Sequence, residues 1–244
     1  MSDGELGRKE LVGEEPVRKP VRKATVARET SETRIRVELD LDGRGSSRVQ
    51  TGIGFFDHML SAFARHGFFD LEVTAQGDLY VDGHHTVEDV GICLGKALDQ
   101  ALATRAGITR FGWAAVPMDE ALVLAAVDLS GRPFCGVELP LSTPQVGALD
   151  TQLVVEFFRA FTWTGGFNLH LRKLAGSNDH HVIEAAFKAM ARALAAAVRI
   201  EPRLGGEVPS TKGRLGEESW GESRGGSSGE SRGEARSESS AESQ

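Results

Sequence analysis

Cysteine is nearly absent from this 244-residue chain, and the two present, Cys93 and Cys135, are too few to staple a disulfide scaffold. Both sit in apolar runs, the setting of reduced, buried thiols. No stretch reaches 18 apolar residues and the first residues lack a signal-peptide hydrophobic segment, a pattern that excludes a membrane-crossing helix and points to a cytosolic chain. Positive charge is not in excess either: the formal net charge is −7, about −5 of it on residues 25–212, which argues against nucleic-acid binding as the main business. Apolar residues are scarce at both ends. In residues 213–244, 27 of 32 are Gly, Ser, Glu or Arg, too little apolar surface to offset the entropy of ordering, so a disordered tail is expected. Residues 1–24 carry eleven charges and no apolar periodicity, which marks a disordered N-terminal extension. The 188 residues between are enough for a well-buried core.

That core reads as a duplication with a period of about 96 to 98 residues. The alternating segment from Arg34 to Arg44 matches that from Leu122 to Arg132, each a strand closed by a polar-Gly turn. The stretch from Phe56 to Phe63, ending at Gly67 and followed by a strand over 69–74, lies without a gap on Val154 to Phe161, Gly165 and a strand over 167–172. Each reads as a helix stopped by glycine. A long apolar-faced helix then opens with two histidines in both halves. The predicted fold is α+β, with a first half over residues 25–117 and a second over 118–212. Each half is a mixed sheet with helices on one face, and a pseudo-twofold relates the two.

All seven histidines lie in this core, and four form two His-His-x-x-Glu units: His84, His85, Glu88 and His180, His181, Glu184. On a helix His84 and Glu88 share a face, while His85 points about 100° away. One unit therefore offers two ligands to one metal ion and one to another. Two units facing each other would complete two sites, His84, Glu88 and His181 on one ion and His180, Glu184 and His85 on the other. His58 aligns with Glu156, a symmetric pair of further ligands. Imidazoles with a carboxylate suit Mn2+, with Fe2+, Co2+ and Zn2+ as competitors. Paired histidines can also cap a solvated helix start, but two pairs, each with its glutamate at the same offset, argue against that. His66 follows the first helix within reach of the His58 site, whereas His170, mid-strand, reads as structural or surface.

Three motifs, Thr51-Gly-Ile-Gly-Phe-Phe-Asp-His-Met-Leu60, Asp82-Gly-His-His-Thr-Val-Glu-Asp-Val-Gly91 and Ser177-Asn-Asp-His-His-Val-Ile-Glu184, closely resemble the imidazoleglycerol-phosphate dehydratase family, in its monofunctional form. Leu129-Ser-Gly-Arg-Pro133 and Pro209-Ser-Thr-Lys-Gly213 extend the resemblance, which runs from about Thr25 to Leu215. It implies halves like the second domain of ribosomal protein S5, and a dimanganese site, two Mn2+ per subunit, bridged by the substrate imidazole. It also implies a 24-subunit homo-oligomer built from trimers with metal sites at subunit contacts, so the ligand sets above could close between chains or within one. The reaction it implies removes water from D-erythro-imidazole-glycerol phosphate in histidine biosynthesis. Glu32 matches the family's acid/base, with Glu120 as its repeat partner and the carboxylates of Glu88 and Glu184 completing the catalytic set. Arg110, Arg132, Ser210, Thr211 and Lys212 match phosphate-holding positions with His66 nearby, and Glu32, His58, His84 and Glu88 would also face the substrate. Glu156 departs from the histidine of many relatives. Before that resemblance, the same ligands would also suit a two-metal phosphoesterase, or a metal-stabilised shell or RNA-associated module without catalysis.

Overall fold

The computed structural model describes residues 21–215, so the expected disorder of residues 1–20 and 216–244 lies outside it. Residues 21–24 are not loose: strand β1 (Lys23–Glu29) already begins within them and pairs with β2 (Thr33–Asp40). Strand β3 (Ser47–Gln50), helix α1 (Gly54–Gly67), β4 (Asp70–Gly77) and α2 (His84–Leu102) complete a first unit. Its sheet has the order β1-β2-β4-β3, antiparallel except for the parallel β3–β4 pair.

The second unit repeats this. Strands β5 (Phe111–Met118), β6 (Ala121–Asp128) and β7 (Phe134–Glu138) precede the short β8 (Gln145–Val146) and β9 (Leu149–Asp150). Helix α3 (Gln152–Gly165), β10 (Asn168–Ala175) and α4 (Asp179–Ala197) follow, and a 3-10 turn (Pro202–Leu204) ends the regular structure. The sheet order β5-β6-β10-β7, with β10–β7 parallel, mirrors the first. The expected α+β architecture of two similar halves is therefore present. The division at 117/118 is not: β5 pairs along its whole length with β6, so the second unit begins before Phe111. The similarity between the repeats starts only at β2 and β6, and it left the preceding strand unassigned.

Strand burial alternates strictly, as in β2 and β6, because one sheet face meets helices and the other meets solvent. The helices lie between the two sheets and cross-pack, α1 on α4 and α2 on α3. Phenylalanines weld this layer: the ring of Phe56 meets Phe157 at 5.3 Å, Phe63 meets Phe161 at 6.1 Å, and Phe157 stacks on Phe187 at 5.2 Å. The helix stops differ from the sequence expectation in detail. Gly67 and Gly165 are still helical, and the left-handed residue is the next one, Phe68 (φ 59°) and Gly166 (φ 59°). The two glycines are required by packing instead, since a Cβ would sit 2.5 Å from the Phe69 ring and 2.8 Å from the Phe167 ring. Cys93 is buried, which pushes its thiol up to about 11, but Cys135 is only half-buried; both are free. Among the described residues no helix is long and apolar enough to cross a membrane.

Candidate metal centre

The histidine pairs sit at the starts of α2 and α4, where hydrogen bonds from aligned acceptors fix the first turn. Asp82 Oδ1 accepts from the His84 N–H at 2.8 Å, and its repeat equivalent Asn178 caps α4 by accepting from His180 N and His181 N. Asp179, buried beside them, accepts through Oδ2 from the N–H and hydroxyl groups of Ser142 and Thr143, which ties the β7–β8 connection to the start of α4.

With the helix starts fixed, His58, His180 and Glu184 bring three ligand atoms within 4.8 Å of one another. Glu184 Oε2 lies 3.3 Å from His58 Nε2 and 3.3 Å from His180 Nε2. Its other oxygen accepts from Lys188 Nζ at 2.6 Å. Burial alone would raise the Glu184 pKa, but Lys188 and then His58 hold it below the usual carboxylate value. The symmetric cluster is looser. His84 Nε2 is 3.7 Å from Glu88 Oε2, and Glu156 shares a cavity of about 580 Å³ with His84, but its carboxylate is taken by Arg159.

His85 and His181 turn away from both clusters. His85 Nδ1 is 3.0 Å from Asp78 and Nε2 is 3.8 Å from Glu32; the Asp78 hydrogen bond raises the imidazole pKa. His181 Nδ1 is 2.7 Å from Glu120, a contact that raises the imidazole and holds the Glu120 carboxyl down to about 2. Within one chain, then, the expected sets His84/Glu88/His181 and His180/Glu184/His85 do not form. Helix geometry explains this, because the second histidine of each pair faces the neighbouring strand ends. The pairing of Glu32 with His85 and of Glu120 with His181 does respect the repeat.

His66, half-buried on α1, stays below the usual imidazole value through burial and the charges of Lys188 and Arg192. The expected phosphate residues lie elsewhere. Arg110 donates to both Asp128 oxygens and to Pro209 O, at 2.7, 3.1 and 2.9 Å, and so anchors the segment carrying Ser210, Thr211 and Lys212. Its backbone N–H bonds to Ala197 O at the far end of α4, 17 residues and about 25 Å from His180. Arg132 is exposed in the loop before β7. Sequence reading missed Asp78, Lys188 and Arg159. The i+4 spacing from Glu184 to Lys188 was a readable signal, whereas nothing local joined Asp78 to His85.

A sequence profile of the imidazoleglycerol-phosphate dehydratase family matches residues 51–194, a span that holds every histidine and both His-His-x-x-Glu units. The chain belongs to this family. It is a hydro-lyase of histidine biosynthesis. The Acidiphilium cryptum imidazoleglycerol-phosphate dehydratase is 60% identical over 194 residues, covering 80% of this chain and 99% of that protein. The Chloroflexus aggregans enzyme of the same name is 59% identical over 194 residues, with 80% and 95% covered. The crystal structure of the enzyme from Staphylococcus aureus superposes with a TM-score of 0.67 at 37% identity, over 73% of this chain and 99% of that one. That from Pyrococcus furiosus, solved in complex with (S)-C348, gives 0.68 at 38% identity over 78% and 100%.

Proposed function

We propose that the chain converts D-erythro-imidazole-glycerol phosphate into imidazole-acetol phosphate in the cytoplasm, using two Mn2+ ions per subunit in a 24-subunit homo-oligomer built from trimers. The observation that carries this reading is the convergence of His58, His180 and Glu184 on one point. Imidazole with carboxylate is a donor set that fits Mn2+, with Fe2+, Co2+ and Zn2+ as competitors. His58, His180 and Glu184 would hold one ion and His84, Glu88 and Glu156 the other, while the outward His85 and His181 are left for a neighbouring subunit. When bound, the ions supply Lewis acidity and a positive field against the charge that develops as hydroxide leaves.

The chain's own groups carry the rest. One C–H and one C–O bond of the glycerol chain break and a C=C bond forms. Proton and hydroxide depart as water, and the resulting enol becomes the ketone. Glu32, half-exposed and 3.8 Å from His85, would carry that proton. Ser210, Thr211, Lys212 and Arg132 would grip the phosphate, with Arg110 ordering the segment through Pro209. The length of α4 separates this set from the cluster of its own chain, so the phosphate held by one subunit would belong to a ring held by another. Exposed Phe111, Trp113 and Phe134 on the outer face of the second sheet support such association.

The test is to strip the full-length protein of metal, add imidazole-glycerol phosphate, and follow the ketone by absorbance with and without Mn2+. Turnover restored by Mn2+ is expected. A stripped protein that stays inactive with all four metals overturns the reading.

A further inference from the structure

The two histidine–carboxylate clusters are equivalent by the repeat but unequal in the structure. Glu184 presents one oxygen to Lys188 and leaves the other facing His58 and His180, so its cation orients it toward the ligand point. Glu156 has both oxygens on Arg159 Nη1, at 2.6 and 2.9 Å, so its cation covers it. Neither cation is duplicated: Lys188 aligns with Ile92 and Arg159 with Ser61. The carboxylates differ in burial as well, Glu184 being 8% exposed and Glu88 45%, while the histidines of both clusters, His58, His180 and His84, are alike about half exposed.

We propose that the two metal positions fill in a fixed order. The His58/His180/Glu184 position loads first, and Arg159 holds Glu156 back until the second ion, at His84, Glu88 and Glu156, displaces it. This inference rests on the two-ion reading above. Donors already converged and held by neighbours bind a cation with little rearrangement. The second position must first give up an ion pair, and a partly exposed pair of this kind weakens binding severalfold. Once freed, Glu156 adds a second carboxylate to one imidazole, an oxygen-rich set that favours Mn2+ over Zn2+ compared with the first position.

Metal-stripped full-length protein titrated with Mn2+ alone, by calorimetry and by the loss of the free-ion EPR signal, reads the order without substrate. Two separate steps are expected. Arg159→Ala, at an exposed position that tolerates truncation, should leave the first step in place and tighten the second about three- to fivefold. Arg159→Lys should fall between. Glu156→Gln should lose the second step alone and Glu184→Gln the first. Unchanged steps in Arg159→Ala, or two ions still taken up by Glu156→Gln, would overturn the inference. A parent protein that takes up fewer than two ions removes the two-ion reading itself.

Discussion

Asp70 accepts hydrogen bonds through a single oxygen from the backbone N–H groups of Arg44, at 2.8 Å, and Ser46, at 2.9 Å, and these hold its pKa below the ordinary carboxylate value. A carboxyl whose folded-state pKa is depressed stabilises the fold above its unfolded value, about 3.9, and loses that contribution as pH falls through the folded value. Asp70→Asn should therefore cost about 1 kcal/mol at pH 7, and the gap should close on acidification toward pH 3. Urea unfolding of both proteins across that range checks it, and a gap that widens in acid contradicts the assignment. Asp179 makes a larger claim, because it is buried and its Oδ2 serves four donors. Asp179→Ala leaves two backbone N–H groups without their acceptor and should cost about 2 to 4 kcal/mol in the same assay. A loss below about 0.5 kcal/mol, the level of ordinary surface changes, would mean that the β7–β8 connection does not depend on it.

At the scale of elements, the duplication supplies internal controls. The residue after α1 is Phe68 in the left-handed region, exposed, with Arg192 over its ring at 5.6 Å, while the matching residue after α3 is Gly166. Left-handed backbone costs a side-chain-bearing residue about 1 to 2 kcal/mol, and the cation contact at an exposed site returns part of it. Phe68→Gly should stabilise by about 0.5 kcal/mol, and Gly67→Ala, which drives a methyl into the Phe69 ring, should destabilise by about 1 to 3 kcal/mol. Thermal unfolding that reverses this order would refute the account of the helix stop.

The same duplication decided what could be read from sequence. The strand-helix-strand-helix pattern and the opening histidines were legible because period and spacing are local properties. The leading strands β1 and β5 were not, since β5 shares no readable pattern with β1 and is recognised only by pairing with β6. At the candidate site, the residue types that could bind metal were legible and their grouping in space was not: Asp78 and Glu120 reach His85 and His181 from strand ends brought near by tertiary packing. Arg159 was invisible for a related reason. An arginine three residues after a glutamate reads as a solvated helix pair, and its meaning comes from what the glutamate would otherwise face.

At the scale of the whole molecule, the two parts of the proposed site lie apart within one chain. Its converged ligands lie at the start of α4, its phosphate candidates at the far end, about 25 Å away. His85 and His181 point outward to Asp78 and Glu120. If outward histidines complete clusters on neighbours, metal is part of the assembly, and EDTA should abolish turnover and reduce the particle size together. Stripped protein that elutes from a sizing column with the intact assembly would sever that link. Mixing variants gives the sharper test of shared sites. Glu184→Gln breaks the inward cluster and His85→Ala breaks the outward donor, so either variant alone should be nearly inactive. Stripped, mixed and reassembled with Mn2+, some contacts would pair the intact cluster of one variant with the intact His85 of the other, and activity should rise well above the sum of the parents. Light scattering and mass spectrometry would establish that both chains share particles. Mixed particles with no recovered activity would mean that each subunit completes its own centre, which would require His85 to leave Asp78 and swing back across the start of α2.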